Sequence, residues 1–498
     1  MLTPEQLKEI ADTMYPLLSR LTDWITKDII ERMISCMDRS EALGFGETDK
    51  WQIILYQAAA GHYEALSAEI TKWTGKSEEE VRQIFLDAGM KAWEADNAFY
   101  VSRGLESVPL LKNEHLMNIL VDCYQRTNGE IKNFTRTIAG ASQQRFIQLC
   151  DDAHMKVMTG AQSYTGAMID AVNDLSEHQL KIKYPSGHVD TIETAVLRCI
   201  RTGTAQASGN MTIQAMKDNG WDLIRVSAHL GARYGDGGEN PGNHAWWQGK
   251  LYSLSGTSAE YPPFRESTGY GTGPGLSGWN CRHSFGPGDP EHNPYQTYDA
   301  DENKKAYDLS QVQRSMERGI RKTKHKMMAA KAAADASTDD DTKQKFLENY
   351  DRENKLLQSQ NREYQKFCED NGLRVMTDRL NTAKWNREQS RNALRTEVKM
   401  DKFIDTVMQA QRTSTGIPIS EVSTHVFTRA NFRGISAEDV VDALTKPVDL
   451  GNIRADRSQQ FLGRKAIVPV NVDTGKVTSV WPMKSKTLRK LLRKKGLL

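Results

Sequence analysis

The sequence lacks the features that would place the chain in a membrane or outside a reducing compartment. Its six cysteines are widely scattered and form no CxxC pair, so we expect free thiols rather than disulfides. The opening stretch, MLTPEQLKEIADTMY, has no basic segment followed by an apolar one, and no run of about eighteen apolar residues occurs anywhere. We therefore expect neither a secretion signal nor a membrane span.

The sequence also has almost no excess of charge of one sign. Lysine plus arginine number 66 against 64 acidic residues, so no global field favours nucleic acid or a membrane surface. Hydrophobic residues make up only 38% of the chain and charged residues 26%, which is typical of much exposed helix with modest cores rather than of one compact enzyme. At 498 residues the chain is long for a single core, so several domains are expected.

Helical periodicity dominates the first part of the chain. Thr3 is a candidate N-cap followed by Pro4 at the first helical position, and apolar residues then recur near helical spacing. Further helices are predicted over about 49–70, 76–102, 112–136 and 139–176. These patterns predict a helical region over residues 1–180.

Four segments of different texture follow that region. Residues 181–300 are glycine-rich and loop-dominated, with a short strand in WDLIRVSAH. The pattern of residues 301–412 predicts a charged helical spacer broken at ASTDDD, with a coiled hairpin as one arrangement. A small α+β domain is predicted over residues 413–483, and a basic tail over residues 484–498. The predicted fold class is multidomain and mainly α, with a helical N-terminal region, a loop-rich α+β central domain, a long helical spacer and a small α+β C-terminal domain.

Local signals define the elements of the small C-terminal domain. One helix is expected to end at Gly434, and a second is expected to begin at Ser436 as N-cap with Asp439 three residues later. Two β-rich runs then flank an Asp-Thr-Gly turn, which predicts a hairpin.

The central domain concentrates histidine, cysteine and tryptophan in two loops, ENPGNHAWWQGKLYSLSG and GLSGWNCRHSFGPGDP. His229, His244, Cys281 and His283 are of the types that bind zinc, and Cys281 with His283 could supply two ligands. Their spacing fits no finger or knuckle, and the alternative is that such residues fix irregular loops by hydrogen bonding and packing. We expect no cofactor, and zinc on these four residues stays open as the alternative.

Cys281 could also be read as a catalytic nucleophile. A cysteine becomes reactive at neutral pH only when its thiolate is stabilised beside a base such as histidine. No oxyanion-forming sequence stands next to Cys281, which argues against acyl transfer.

Five ordered elements of the sequence resemble those of a known family. The strings are YPSGHVDTIETAVLRCIRTG, VSAHLGAR, HAWWQGKLYS, YPPF and TGYGTGPGLSGWNCRHSF, and they resemble the phage minor capsid protein 2 family over roughly residues 1–300. That family is related to the F-like head morphogenesis proteins of Mu-type phages, which carry a similar HAxxxGK element and a terminal NCRC. This chain has His283 where the second cysteine would stand. The signature residues are His229, His244, Trp247, Gly249, Lys250, Cys281 and His283.

The resemblance implies a structural protein of a tailed-phage particle. It implies a few copies per particle, association with the portal protein and the major capsid protein, and a role in head morphogenesis. Residues 1–180 would then dock on the portal or shell, self-association around the portal would be one arrangement, and packaged DNA would be a neighbour. Such a protein is assembled into the virion in the cytoplasm of the bacterial host.

The C-terminal domain resembles phage-borne nucleases of the barnase/EndoU/colicin/RelE-like fold, through THVFTRANFRGISAEDVVDAL and FLGRKAIVPVNVDTGKVTSVWPM. RNA cleavage without metal needs an acid, a base and cations on the phosphate. His425, Arg429 and Arg433 lie four residues apart on one predicted helix face, and Lys484 follows the hairpin. The hypothesis is therefore a metal-independent ribonuclease carried by the particle, with a binding-only domain or a solvated basic face as alternatives.

The basic tail offers a second nucleic-acid contact. A segment this basic can neutralise several phosphates, although it could equally be a disordered, solubilising end. The candidate DNA-binding residues are Lys486, Arg489, Lys490, Arg493, Lys494 and Lys495.

Overall fold

The computed structural model describes residues 1–105, 108–178, 180–184, 186–380, 382, 385 and 387–496. These residues form two compact units built from alternating chain segments. Unit 1 comprises Met1–Ile25, Tyr56–Ile147 and His178–Met316, and unit 2 comprises Thr26–Leu55, Gln148–Glu177 and Glu317–Leu498. The predicted mainly α, multidomain fold class with a small α+β C-terminal region is confirmed, whereas the five-segment division of the chain stays a prediction.

Helices account for most of the described residues. In chain order they are α1 (Pro4–Glu9), α2 (Tyr15–Ala42), α3 (Thr48–Val101), α4 (Glu114–Met158), α5 (Tyr164–Glu177), α6 (Ile192–Asp218), α7 (His244–Trp247), α8 (Phe264–Thr268), α9 (Ala300–Ala336), α10 (Asp340–Asp370), α11 (Arg387–Met408), α12 (Thr424–Phe432), α13 (Ala437–Thr445) and α14 (Ser485–Lys494). Short 3-10 turns occur at Asp12–Met14, Leu110–Lys112 and Thr377–Leu380. Within the described part of the chain, no helix combines the length and apolar character that crossing a bilayer requires.

The strands are short and form three sheets. They are β1 (Lys181–Lys183), β2 (Val189–Thr191), β3 (Leu223–Val226), β4 (Leu251–Ser253), β5 (Phe285–Pro287), β6 (Glu421–Val422), β7 (Asp449–Leu450), β8 (Ser458–Leu462), β9 (Ala466–Asn471), β10 (Lys476–Val477) and β11 (Trp481–Pro482). β1 pairs with β2, the order β4-β3-β5 makes a central sheet, and the order β6-β10-β9-β8-β7 makes a C-terminal sheet in which β11 also pairs with β9.

The first helix begins where its capping signal predicts. The Oγ1 of Thr3 accepts the backbone N–H of Gln6 at 3.1 Å, and the Oε1 of Gln6 accepts the backbone N–H of Thr3 at 2.8 Å. This reciprocal capping box satisfies two N–H groups that the helix itself leaves without a partner.

Two helices are longer than the sequence pattern predicts. α3 spans both of its predicted helices and runs through Gly75, and α4 continues through Gly140. A glycine inside a helix costs only about 1 kcal/mol relative to alanine. Buried apolar side chains on either side, such as Trp73 and Val81 in α3, outweigh that cost and keep the helix continuous.

The central sheet and α6 contribute to an apolar core cluster of unit 1. β3 pairs antiparallel with both β4 and β5, so Ile224 lies opposite Tyr252 on one side and Pro287 on the other. Phe285 and Tyr270 join this core. A Cβ on Gly209 of α6 would lie 2.8 Å from the Phe285 ring, so only glycine lets α6 approach the sheet this closely.

In unit 2, the part of α9 from Glu317 onward and α10 are consecutive helical segments interrupted at the predicted break. The side chain of Asp339 caps α10 by accepting the backbone N–H of Thr342 at 2.7 Å. Tyr364 of α10 donates its hydroxyl to Glu317 of α9 at 3.1 Å, so the two helices run antiparallel there.

The small C-terminal sheet supports the helices that precede it. The predicted hairpin is confirmed, since β9 and β10 are antiparallel with Val470 opposite Val477. The predicted helix end is also confirmed, because α12 stops just before Gly434, which has a positive φ of 64°. Ser436 caps α13 in a capping box with Asp439, as predicted. The buried core between helices and sheet includes Val426, Phe427, Val440, Leu444, Phe461 and Val468.

Candidate functional site

Strand pairing brings three distant histidines and one cysteine together in unit 1. β3 and β5 are antiparallel with Val226 opposite Phe285, so the chain leaving β3 and the chain entering β5 meet at the same sheet edge. His229 follows β3, and Cys281 and His283 precede β5. His244 comes from α7, whose N-cap is the side chain of Asn243. We call His229, His244, Cys281 and His283 the His–Cys cluster.

Three members of this cluster converge closely. One ligand atom from each of His244, Cys281 and His283 lies within 4.8 Å of the other two, and all three residues are buried. The Sγ of Cys281 is 3.7 Å from Nδ1 of His283. The ring of His229 stacks on that of His283 with 4.4 Å between centroids. The structure therefore brings together the four residues predicted as metal ligands.

Each imidazole of the His–Cys cluster has one nitrogen hydrogen bonded to a fixed oxygen. The Nε2–H of His244 donates to Pro274 O at 2.8 Å, and the Nε2–H of His283 donates to Gln248 Oε1 at 3.1 Å. The Nδ1 of His229 is 3.1 Å from the carbonyl of Leu230. A carbonyl or amide oxygen only accepts, so each of these nitrogens carries the proton and the other nitrogen of each ring carries the lone pair.

Burial keeps the His–Cys cluster uncharged at neutral pH. It lowers the pKa of His229 and of His244 to about 4 and the pKa of His283 well below its ordinary value. Burial also raises the pKa of the Cys281 thiol. A nucleophilic cysteine needs the opposite shift and access to substrate, so the properties of Cys281 argue against acyl transfer.

Trp247 fixes the position of the His–Cys cluster. Its side chain is fully buried, its Nε1–H donates to Pro241 O at 3.0 Å, and its ring lies 4.6 Å from His244 and 4.8 Å from His283 between centroids. Two residues further on, Gly249 has a positive φ of 72°, a backbone conformation that favours glycine.

Two further signature positions have their own close contacts. A Cβ on Gly249 would lie 2.6 Å from the carbonyl oxygen of Gln296, so a larger residue cannot fit. The ammonium of Lys250 lies 5.3 Å above the ring of Trp246. The signature residues are therefore of two kinds. Gly249 and Lys250 make close contacts with their surroundings, whereas the histidines and Cys281 are of metal-ligand type.

Two of the predicted nuclease residues in unit 2 are hydrogen bonded to a carboxylate that no sequence motif predicts. His425 Nδ1–H donates to Glu348 Oε2 at 2.6 Å, and Arg429 Nε–H donates to Glu348 Oε1 at 2.9 Å. Burial pushes the pKa of Glu348 up, but the hydrogen bonds from His425, Gln344 and Arg429 outweigh it and lower this pKa overall. We call Glu348, His425 and Arg429 the Glu348 cluster.

One NH1 donor of each arginine also has a partner. Arg429 NH1 donates to Ser479 Oγ at 2.7 Å, and Arg433 NH1 donates to the carbonyl of Val480 at 2.8 Å. Lys484 is exposed as the N-cap residue of α14, and no hydrogen bond or ion pair between described residues joins it to the Glu348 cluster. The structure brings His425 and the arginines to one helix face, where they hold α12 against α10 and the C-terminal sheet.

A second carboxylate on α10 reinforces this contact. Thr428 donates its hydroxyl to Asp351 Oδ2 at 2.6 Å. Burial raises the pKa of Asp351 to about 6, and the nearby charge of Glu348 adds to the rise. In the sequence, Glu348 and Asp351 stand three residues apart in a charged helix, a spacing that is also typical of a solvated face. Their function could be inferred only once α12 was known to pack on α10.

The basic tail forms α14 rather than an irregular end. Leu488, Leu491 and Leu492 are partly buried on one side of this helix, and the ammonium of Lys495 is 3.1 Å from Asp449 Oδ1. The exposed basic residues are Lys486, Arg489, Lys490, Arg493, Lys494 and Lys495.

Comparison with known proteins identifies the family. No curated protein and no solved structure matches the chain significantly. The family model for phage minor capsid protein 2 matches residues 2–366, which include the whole His–Cys cluster and end before the C-terminal helices and sheet. A protein of this family is a structural component of the virion and contacts other virion components. The chain therefore belongs to the phage minor capsid protein 2 family.

Proposed function

We propose that the chain is a low-copy structural protein of a tailed-phage head, associated with the portal and inner capsid, and that it acts in head morphogenesis. The family supports the virion role. The observation that favours a structural C-terminal domain is the Glu348 cluster, in which the basic side chains of α12 bind α10 instead of a ligand. Assembly would take place in the host cytoplasm, and a relation to F-like head proteins stays a prediction.

Three exposed apolar side chains between the end of α3 and the start of α4 are a candidate contact surface for the portal protein. Val101, Val108 and Leu111 are exposed to 58%, 53% and 70%, although each is apolar. Exposed apolar side chains that follow closely in one connection favour a protein contact, because burying them removes apolar area from water. This surface lies within the part of the chain that the family model matches.

Cross-linking in assembling particles tests this proposal. We expect cross-links from the α3–α4 connection to the portal protein, and we expect Leu111→Asp to reduce the amount of chain per particle several-fold. The control is Ile453→Asp, which places the same charge at a residue that is 52% exposed in the C-terminal domain. Normal incorporation of Leu111→Asp without portal cross-links would refute the docking surface.

The rival function is a ribonuclease delivered with the particle. A general acid or base must reach the substrate, and phosphate-binding arginines must have donors to offer it. His425 and Arg429 instead donate to Glu348, so the geometry favours the structural function.

An activity assay separates the two functions. The full chain should be used, because α12 contacts α10 and residues 413–498 alone would lose that support. We expect the wild-type chain and His425→Ala to leave RNA equally intact, with exposed His292→Ala as the matched control. RNA cleavage by the wild type that disappears only in His425→Ala would establish the nuclease.

Packaged DNA is the proposed partner of α14. Five exposed basic side chains lie on this helix while its leucines are partly buried, and Lys495 follows at the C-cap, where it pairs with Asp449. Such a helix would neutralise backbone phosphates without reading base sequence.

A further inference from the structure

We propose that His244, Cys281 and His283 bind a zinc ion, with His229 at the fourth coordination position. Three of these residues already offer ligand atoms within 4.8 Å of one another, and all three are buried in unit 1. Nitrogen and sulfur donors of this kind favour zinc over magnesium or calcium, which prefer oxygen ligands.

The hydrogen bonds around the cluster prepare the histidines for a metal. The protonated nitrogens of His244 and His283 donate to Pro274 O and Gln248 Oε1. A zinc-bound histidine typically donates its other N–H to a fixed acceptor, which sets the ring orientation and leaves the lone pair for the metal. The His229 ring follows the same rule through the carbonyl of Leu230.

The distances also fit zinc coordination. Bond lengths near 2.3 Å to sulfur and 2.0–2.1 Å to nitrogen in a tetrahedral site separate the two ligand atoms by about 3.6 Å. The Sγ of Cys281 lies 3.7 Å from Nδ1 of His283. At that separation a thiol-to-imidazole hydrogen bond is weak, whereas a metal between the two atoms would bond to both.

Zinc binding at this site requires the release of one proton. Each of the two imidazoles can offer a lone pair, because its proton lies on the nitrogen that donates to Pro274 O or Gln248 Oε1. Cys281 is a free cysteine and enters as a thiol. Zinc binding therefore forms a Zn–S bond, breaks the S–H bond and releases one proton to solvent.

His229 fills the fourth position because its ring is next to the other ligands and carries its lone pair on Nε2. It stacks on His283 with 4.4 Å between centroids. To reach the ion, its ring must turn and exchange the Leu230 contact for the metal. Without this ligand a three-residue site remains, which water can complete. His229→Ala should therefore weaken zinc binding, whereas Cys281→Ser should abolish stable binding.

Metal analysis of the full chain tests the proposal. After expression with zinc and dialysis into metal-free buffer, we expect about one zinc per wild-type chain and less than about 0.1 per Cys281→Ser chain. Cys368→Ser is the control, because Cys368 is another buried cysteine but lies in unit 2. The control should keep its zinc.

Cobalt substitution keeps the test decisive if Cys281→Ser fails to fold. Co²⁺ added to the metal-free wild-type chain should give intense visible bands typical of tetrahedral coordination and a near-ultraviolet band from thiolate to metal. His229→Ala should keep the thiolate band and need more Co²⁺ to reach it. Less than about 0.1 zinc per wild-type chain together with no thiolate band would overturn the proposal.

Discussion

The His–Cys cluster and the Glu348 cluster use similar residue types but differ in what their polar atoms contact. In the His–Cys cluster each imidazole donates to a neutral oxygen, and burial keeps the rings uncharged. In the Glu348 cluster a carboxylate accepts hydrogen bonds from both His425 and Arg429. The first arrangement leaves lone pairs for a cation, whereas the second uses its donors to hold two helices together.

This difference shows that a histidine beside basic residues is not evidence of catalysis by itself. What decides its function is the group that accepts its hydrogen bond and whether that group lies on another helix. Glu348 belongs to α10, so the contacts of His425 serve packing before they could serve a substrate.

The largest effect should come from removing the tryptophan that fixes the His–Cys cluster. Trp247→Ala should lower the free energy of unfolding by about 3–5 kcal/mol, because it leaves a cavity beside His244 and His283. Trp279→Ala is the matched control, since this tryptophan, two residues before Cys281, is 60% exposed and its removal should change stability by less than about 0.5 kcal/mol. Denaturant unfolding measures both, and equal losses of stability would show that Trp247 has no special role.

The second largest loss of stability should come from removing the carboxylate of Glu348. Glu348→Ala should lower the free energy of unfolding by about 3 kcal/mol, because His425 and Arg429 then lose their shared acceptor in a largely buried position. Glu348→Gln keeps the shape without the charge and should lose less stability. If both variants unfold like the wild type in denaturant, the Glu348 cluster is not a structural contact.

Replacing Asp351 should change the free energy of unfolding by a smaller amount that depends on pH. Its pKa of about 6 in the folded chain lies above its ordinary value of 3.8, so its stabilising contribution is fully present below pH 3.8 and is lost as the pH rises through 6. Asp351→Asn removes the buried charge and keeps an acceptor for Thr428. The variant should be more stable than the wild type by about 2 kcal/mol at pH 8 and by much less at pH 4. Thermal melts at both pH values test this, and an equal change at both would contradict the shifted titration.

The smallest predicted effect is on DNA binding, and it distinguishes the basic residues of α14 from those of α12. Replacing Lys490 and Arg493 with glutamine should weaken binding to duplex DNA and reduce the salt slope by about 0.9 for each phosphate that is no longer neutralised. Arg433→Gln should leave the slope unchanged, because that guanidinium already donates to the carbonyl of Val480. Binding titrations at several salt concentrations give the slopes. A change of slope for Arg433→Gln alone would show that α12, rather than α14, contacts the nucleic acid.

The sequence correctly predicted those elements that are determined by residues adjacent in the chain. The capping box at Ser436, the end of α12 before Gly434 and the β9–β10 hairpin were all predicted, because a few adjacent residues determine each of them. The length of α3 was predicted wrongly, since the burial that carries it through Gly75 comes from tertiary packing.

Neither cluster could be derived in full from the sequence. The ligand types of the His–Cys cluster were recognised, but their convergence depends on the pairing of β3 with β5, which are far apart in the chain. The Glu348 cluster was missed in part because its acceptor lies on a helix that the charge pattern assigned to solvent. Long-range contacts of this kind leave little trace in local composition.

Quantitative mass spectrometry of purified particles is the most direct test of the central claim that this chain is a structural virion protein. We expect peptides from both residues 2–366 and the C-terminal helices to be recovered from intact particles, at a few copies relative to the major capsid protein. Absence of the chain from purified, infectious particles would contradict it.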